Sequence, residues 1–298
     1  MHFSEQVCAL MRQDPGGRGL PAGIPPLPAD AAADTLFGAG RTLLLTGFSI
    51  PCGGKTGVRG ETDGPSGTAN LAAALSAVGG EVCVVTDAVS FPLVQAALDL
   101  RAPEAKLVRF PQEQPEQAAE ALLASFVPTH LVALERPGKA LDGHFHNMRG
   151  EQIDAIVADT DPLFSLANQR GVVTIGIGDG GNELGMGGLR PLVERSVPNG
   201  AEICAALAGD YTLAAGVSNW WGWGLAALLS VRCGRLLLPS VEEETRMLDA
   251  VLQAGAVDGA LKKAARSVDG IPLDFHLRLL QDLTDAAAQE LAALVPLA

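Results

Sequence analysis

Ile177-Gly178-Asp179-Gly180-Gly181-Asn182-Glu183-Leu184-Gly185-Met186-Gly187 sets two carboxylates and one amide among five glycines. Carboxylates in such a loop can pass protons or hold a cation. Glycine admits positive φ and lets a ligand approach the backbone. The preceding Val172-Val173-Thr174-Ile175 reads as a buried parallel strand. The loop therefore leaves the carboxyl end of a strand, where open α/β sheets bind ligands. Asp179, Asn182 and Glu183 are candidate catalytic residues on this ground.

Three other strand ends carry comparable groups. The run from Thr46 to Pro65 offers Lys55 and Arg59 as anion anchors, and Glu61 and Asp63 as bases or metal ligands. Its Gly54-Lys55-Thr56 is not a P-loop, because Ser49 stands where the first glycine is needed. Glu135-Arg136 follows another strand; the two either pair with each other, or one is a base and the other grips a carboxylate. Asn147 and Arg149 lie in the polar stretch beyond. Gly216 to Gly224 holds Ser218 and Asn219, either able to cap the next helix, and Trp220, Trp221 and Trp223, which fill a core or wall a pocket. A cation reading would gather Glu61, Asp63, Asp179 and Glu183 around Mg²⁺ or Mn²⁺. Gly176-x-Gly178-x-x-Gly181 is a weak dinucleotide signal, since Asp179 occupies the phosphate approach.

The elements that must position these loops alternate. Strands are expected at Arg41 to Thr46, Glu81 to Thr86, Lys106 to Phe110, His130 to Leu134, Val172 to Ile175 and Tyr211 to Ala215. Helices are expected at Ser66 to Val78, Pro92 to Leu100, Pro115 to Ser125, Glu151 to Ala158, Pro162 to Arg170 and Asn219 to Val231. The rhythm predicts an α/β fold: a mostly parallel sheet with helices on both faces and active-site loops at its carboxyl edge. Residues 1–40 read as an arm with a short helix, the turn Asp14 to Gly19 and an extended Pro21 to Pro28. Residues 240–298 read as a mostly helical extension, including Glu242 to Gln253 and Pro272 to Leu294. One elaborated domain over 1–298 is expected.

The 298 residues carry 21 basic and 34 acidic side chains, a formal charge of −13. That balance argues against nucleic acid and against anionic membranes as partners. A small amino acid is the expected partner, with a homo-oligomer left open. Five cysteines without a C-x-x-C spacing read as reduced thiols. No basic segment and apolar run opens the chain, and no apolar stretch nears the roughly 20 residues of a membrane span. These features predict a cytoplasmic protein.

Glu61-Thr62-Asp63-Gly64-Pro65, Glu135-Arg136-Pro137-Gly138, Asn147-Met148-Arg149-Gly150, the Gly-Asp-Gly-Gly-Asn-Glu block and Val217-Ser218-Asn219-Trp220 together resemble the D-glutamate cyclase family, in its cyclase-like C-terminal domain. The resemblance runs from about Asp14 to Val231. It departs at His144 and His146, where the family has aromatic residues, and at Gly188, where it has a lysine. The resemblance implies a lyase that condenses D-glutamate to 5-oxo-D-proline with release of water. It implies catalytic roles among Glu61, Asp63, Asp179, Asn182 and Glu183. Substrate binding then falls to Lys55, Arg59, Glu135, Arg136, Asn147, Arg149, Ser218, Asn219 and Trp220. Such a reaction has no redox change, so no nicotinamide is expected, and the missing P-loop spacing at Gly54-Lys55-Thr56 leaves ATP unexpected as well.

Overall fold

The alternating pattern folds into a parallel sheet between helices in a computed structural model that describes residues 2–25, 27–53 and 57–294. Helices α1 (Phe3–Met11) and α2 (Ala29–Phe37) precede β1 (Arg41–Thr46), and β2 (Ser49–Gly53) and β3 (Gly57–Gly60) follow it. Next come α3 (Pro65–Ala77), β4 (Glu81–Thr86), α4 (Phe91–Arg101), β5 (Lys106–Arg109), α5 (Pro115–Phe126) and β6 (His130–Leu134). The chain continues through α6 (Asp161–Gln169), β7 (Val173–Gly178), α7 (Arg190–Ser196), α8 (Gly200–Ile203), β8 (Tyr211–Ala214) and α9 (Asn219–Cys233). It closes with α10 (Val241–Gln253), β9 (Ser267–Val268), β10 (Ile271–Pro272) and α11 (Leu273–Leu294).

Six strands pair in parallel in the order β5-β4-β1-β6-β7-β8. The chain builds outward from β1 through β4 and β5, then returns to β6 and builds the other way. Between β1 and β6 the loops diverge, and this switch point is where doubly wound sheets hold their ligands. Successive strand residues face opposite sides. Leu44, Val84 and Val132 accordingly join α3, α4 and α9 in the larger core, while Leu43, Leu45, Leu131 and Ala133 meet α5 and α6. Helix α9 is buried all round from Asn219 to Ser230, as its apolar circumference requires.

Two close approaches set the position of the site. A side chain on Gly222 of α9 would meet the Gly67 carbonyl of α3 at 2.1 Å, so these helices touch backbone to backbone. Within the sheet, a side chain on Gly176 would lie 2.6 Å from Gly185, so the loop after β7 folds back onto its own strand.

Several local expectations change. The run after β1 is an antiparallel hairpin, β2 with β3, and not an irregular loop. Residues 151–158 form a single 3₁₀ turn at Asp154–Ile156 instead of a helix. The start of the segment pairs instead with residues 145–147: the Glu151 carbonyl accepts the Asn147 N–H at 3.0 Å and the Ile153 N–H donates to the Phe145 carbonyl at 2.9 Å. The arm contains α2, and its Pro-rich part begins with a 3₁₀ turn at Pro21–Gly23. Strand β7 runs on to Gly178 because β6 and β8 pair with it there. A hairpin, β9 with β10, interrupts the helical extension. Among the described residues no helix is long and apolar enough to cross a membrane.

Gly222→Ala should lower unfolding stability by about 1–3 kcal/mol, the usual range for overpacking a core contact. Chemical denaturation of the variant beside the parent protein measures it.

Candidate active site

The N-termini of α3 and α9 meet at the carboxyl edge and cap each other. Asn219 Oδ1 accepts the Gly64 and Gly67 N–H groups at 2.9 and 2.7 Å, satisfying the start of α3. In return, Asp63 Oδ1 accepts the Asn219 N–H at 2.9 Å and Oδ2 accepts the Ser218 N–H at 3.0 Å. Free N–H groups at a helix start need such acceptors, and a carboxylate there also gains from the helix dipole. Gly64, at φ 102, turns the chain from Asp63 into α3.

Around this joint the loops converge. Glu135 follows β6 in the left-handed region, at φ 48. Its Oε2 accepts the Ser218 hydroxyl at 2.5 Å. Asp179, just beyond β7, accepts the same Ser218 N–H at 3.2 Å. Each of Asp63, Glu135 and Asp179 has a carboxylate oxygen within 4.8 Å of those of the other two, all buried. Glu61 completes the group; it is 6% exposed, and its carboxyl shares a side-chain hydrogen bond with that of Glu135. Glu61 and Glu135 line a cavity of about 320 Å³ that opens at the switch point, walled on one side by Phe48 and Ile50 and on another by Met148. Asp63 and Asp179 lie behind them.

Two residues from opposite ends of the chain close the cluster. Arg18 reaches in from the arm, its Nη1 on Asp179 and its Nη2 2.5 Å from Asp269. A tight turn aims it: Asp14 accepts the Arg18 and Gly19 N–H groups at 3.0 and 2.9 Å. Asp269 sits with Gly270 at the tip of the β9–β10 hairpin, at φ 56 and 77. Asp258 ties that tip down by accepting the Gly270 N–H at 2.8 Å.

Burial is the first cause of the unusual protonation here. It pushes the Glu61, Glu135 and Asp179 carboxyls well above the ordinary range. Neighbouring carboxylates push Glu61 and Glu135 further, while Arg18 pulls Asp179 back. Asp63 rises to about 7, from burial and then from Asp269, against the pull of the Asn219 N–H. For Arg18, burial alone would weaken the cation, but Asp179 and Asp269 outweigh it and hold its proton more firmly. Acid forms and a fixed cation therefore share one buried cleft.

Residues 7–284 match the family described as D-glutamate cyclase-like, C-terminal. The human mitochondrial D-glutamate cyclase is 31% identical over 313 residues, covering 93% of this chain and 50% of that protein. The chain belongs to the D-glutamate cyclase-like family. It spans about half the length of the curated relative it matches.

Within this family member the residues singled out in the sequence divide by place. Glu61, Glu135, Asn147, Arg149, Asn182 and Glu183 line the cavity, Arg149 at its exposed rim. Glu183 is held by its own loop, accepting the Asp179, Gly180 and Gly181 N–H groups at 3.0, 2.8 and 2.7 Å. Asn182 donates to the His146 carbonyl at 2.8 Å, which fixes the Asn147 loop against the cavity. Ser218 and Asn219 are engaged in the helix joint. Arg136 turns away and is buried against Asp87, the Gly47 carbonyl and Thr160. Trp220 is fully buried, with its Nε1 donating to His276 at 2.9 Å. Arg59 is exposed on the β2–β3 hairpin. Lys55 lies outside the described residues. The metal grouping differs from the spacing-based set, with Glu135 beside Asp63 and Asp179 in place of Glu61 and Glu183.

Arg18 and Asp269 were not singled out in the sequence. Asp269-Gly270 between Val268 and Ile271 is a two-residue hairpin signal that could have revealed the turn. The turn around Arg18 was legible, but nothing near it in sequence tells where the side chain points.

Glu183→Gln should cost about 1.5–3 kcal/mol of stability, the range for a hydrogen bond to a charged group, because an amide sets a donor against three donors. Denaturant unfolding reads this directly. The pH dependence has a definite sign. An unfolded Asp titrates at about 3.9, whereas folded Asp63 titrates at about 7. Between these values the unfolded chain has lost a proton that the folded chain keeps, so stability should fall as pH rises from about 4 to about 7. Melting curves across that range should show the fall, and Asp63→Asn should make it shallower, the raised Glu61, Glu135 and Asp179 carboxyls supplying the remainder.

Proposed function

We propose that this chain closes a glutamate on itself, joining the α-amine to the γ-carboxyl carbon to give 5-oxoproline and water, with D-glutamate as the substrate. The family membership supports a cyclase-like lyase, and the D-glutamate reading extends what the human relative is named for. The observation that carries the chemistry is the Glu61–Glu135 pair, buried together and facing the cavity.

Ring closure demands a proton relay. The ammonium nitrogen must lose two protons, and one carboxyl oxygen must gain two to leave as water. A pair of carboxyl groups that retains one proton can accept from nitrogen at one member and donate to oxygen from the other. Raised affinity for protons keeps the acid form available near neutrality. The intramolecular attack needs no second reactant, so holding the substrate folded supplies much of the acceleration. In this reading the second amide N–H of Asn182, which lines the cavity, serves the developing oxyanion, and Asp63 and Asp179 tune the pair from behind. The relay runs without ATP, because water leaves as a protonated oxygen and not as a phosphate.

One observation favours a second reading, in which a divalent cation serves the same reaction or a related lyase or hydrolase step. Asp63, Glu135 and Asp179 present oxygens close enough to share an ion. Arg18 already rests on Asp179 and supplies positive charge at that point. Asp63, Glu135 and Asp179 would hold such an ion, which would supply Lewis acidity for the γ-carboxyl.

The purified protein should convert D-glutamate to 5-oxoproline without ATP, with Glu61→Gln and Glu135→Gln each lowering kcat by about 10²-fold or more. Chromatographic detection of product, with and without ATP and with and without a chelator, checks each part. Product only with ATP and Mg²⁺ would make the protein a ligase. Loss on chelation with recovery on Mn²⁺ or Mg²⁺ would establish the cation reading.

A further inference from the structure

We propose that Arg18 anchors the α-carboxylate of the substrate, and that Asp269 occupies this anchor until the substrate arrives. The inference rests on the amino-acid reading of the cavity given above. Arg18, Arg149 and Lys262 are the cationic side chains lining the cavity among the described residues. Arg149 is exposed at the rim, and Lys262 donates to the Pro51 carbonyl at 3.2 Å. Arg18 alone of the three touches the buried carboxylates, with its side chain 20% exposed.

A guanidinium presents five N–H donors in a planar fork suited to carboxylates. Two of its directions are taken, by Asp179 and by Asp269, and the two acids are held unequally. Asp179 also accepts the Ser218 N–H, and it lies behind the cavity wall. Asp269 faces the cavity from a hairpin tip, and its Oδ2 is buried with no hydrogen-bond partner. The carboxylate on Arg18 that a ligand can replace is therefore Asp269. It mimics the ligand's own group in charge and shape.

The geometry of an amino acid then orders the rest. Its ammonium is attached to the same carbon as the α-carboxylate, so binding at Arg18 places that ammonium beside Glu61 and Glu135, which line the cavity. The γ-carboxyl is left to fold back toward the Glu61–Glu135 pair. An amino acid whose α-carboxyl is an amide loses the anchor. Selection for a free α-carboxylate is thus assigned to Arg18.

Calorimetric titration of the full chain with D-glutamate, D-isoglutamine (the α-amide) and glutarate tests this. The parent protein should bind D-glutamate about tenfold or more tighter than the α-amide, a ratio equivalent to about 1.4 kcal/mol. Arg18→Ala should bring that ratio near one, and Arg18→Lys should restore part of it. Asp269→Asn keeps an oxygen for Arg18 without the competing charge, so it should leave D-glutamate binding unchanged or tighten it. Equal weakening of both ligands in Arg18→Ala would reduce Arg18 to a brace and overturn the proposal. Weaker D-glutamate binding in Asp269→Asn would overturn the exchange. Should Arg18→Ala fail to fold, Arg18→Lys and Asp269→Asn decide by the same ratio. Turnover is scored separately. Binding that discriminates without product overturns the cyclase reading alone, and absence of binding by both D-glutamate and glutarate overturns both.

Discussion

Acidic side chains crowded out of water are the condition that the rest of this structure answers. Glu61, Asp63, Glu135, Asp179, Glu183 and Asp269 all lie within the same carboxyl edge of the sheet, and each is nearly or wholly buried. Ionised together they would repel strongly at low dielectric. Three remedies are distributed among them. Backbone N–H groups satisfy Glu183 and Asp63, which makes these two the mortar of the loops and of the helix joint. A guanidinium serves Asp179 and Asp269. Glu61 lacks a donor of this kind and Glu135 has only a hydroxyl, so protons must serve them. Glu61 and Glu135, left to protons, both face the cavity, and chemistry follows from that residue of unsatisfied charge.

The glycine contacts belong to the same solution. Backbone contact between α3 and α9 at Gly67 and Gly222 brings two helix N-termini together, concentrating their unpaired N–H groups at one point. Asp63 and Asn219 exploit that concentration reciprocally. The buried tryptophans of α9 hold the helix from below, with Trp220 reaching His276 of α11. Packing in the core is thus converted into a fixed electrostatic setting several residues away.

Much of the architecture was legible because it is periodic. Leu43 to Leu45, Val82 to Val85 and Leu131 to Leu134 are short apolar runs that suit a strand buried on both faces, and their alternation with helices points to a parallel sheet. The carboxyl edge then followed, and with it the neighbourhood of Glu61, Asp63, Glu135 and Asp179. Individual orientation was not legible. Glu135 and Arg136 are adjacent in sequence, yet one faces the cavity and the other is buried against Asp87. Glu183 reads as a free acid in a glycine loop, whereas the glycines exist partly to let the loop wrap it. Residues 151–158 looked helical by composition, but the start of that segment pairs with residues 145–147, the Ile153 N–H donating to the Phe145 carbonyl at 2.9 Å. Arg18 and Asp269 were hidden because their meeting spans almost the whole chain, and no local pattern encodes a contact of that separation.

That meeting fixes an order of events during synthesis. Proteins emerge from the ribosome N-terminus first, and a growing chain can settle its early parts before the late ones exist. When α9 has been made, Arg18, Asp63, Glu135 and Asp179 have all been supplied, while the hairpin bearing Asp269 is still to come. Until then the second partner of Arg18 and the Asp269 side of the cavity do not exist. The hairpin supplies that partner and that part of the wall together. A complete site thus requires residues that follow every strand of the main sheet.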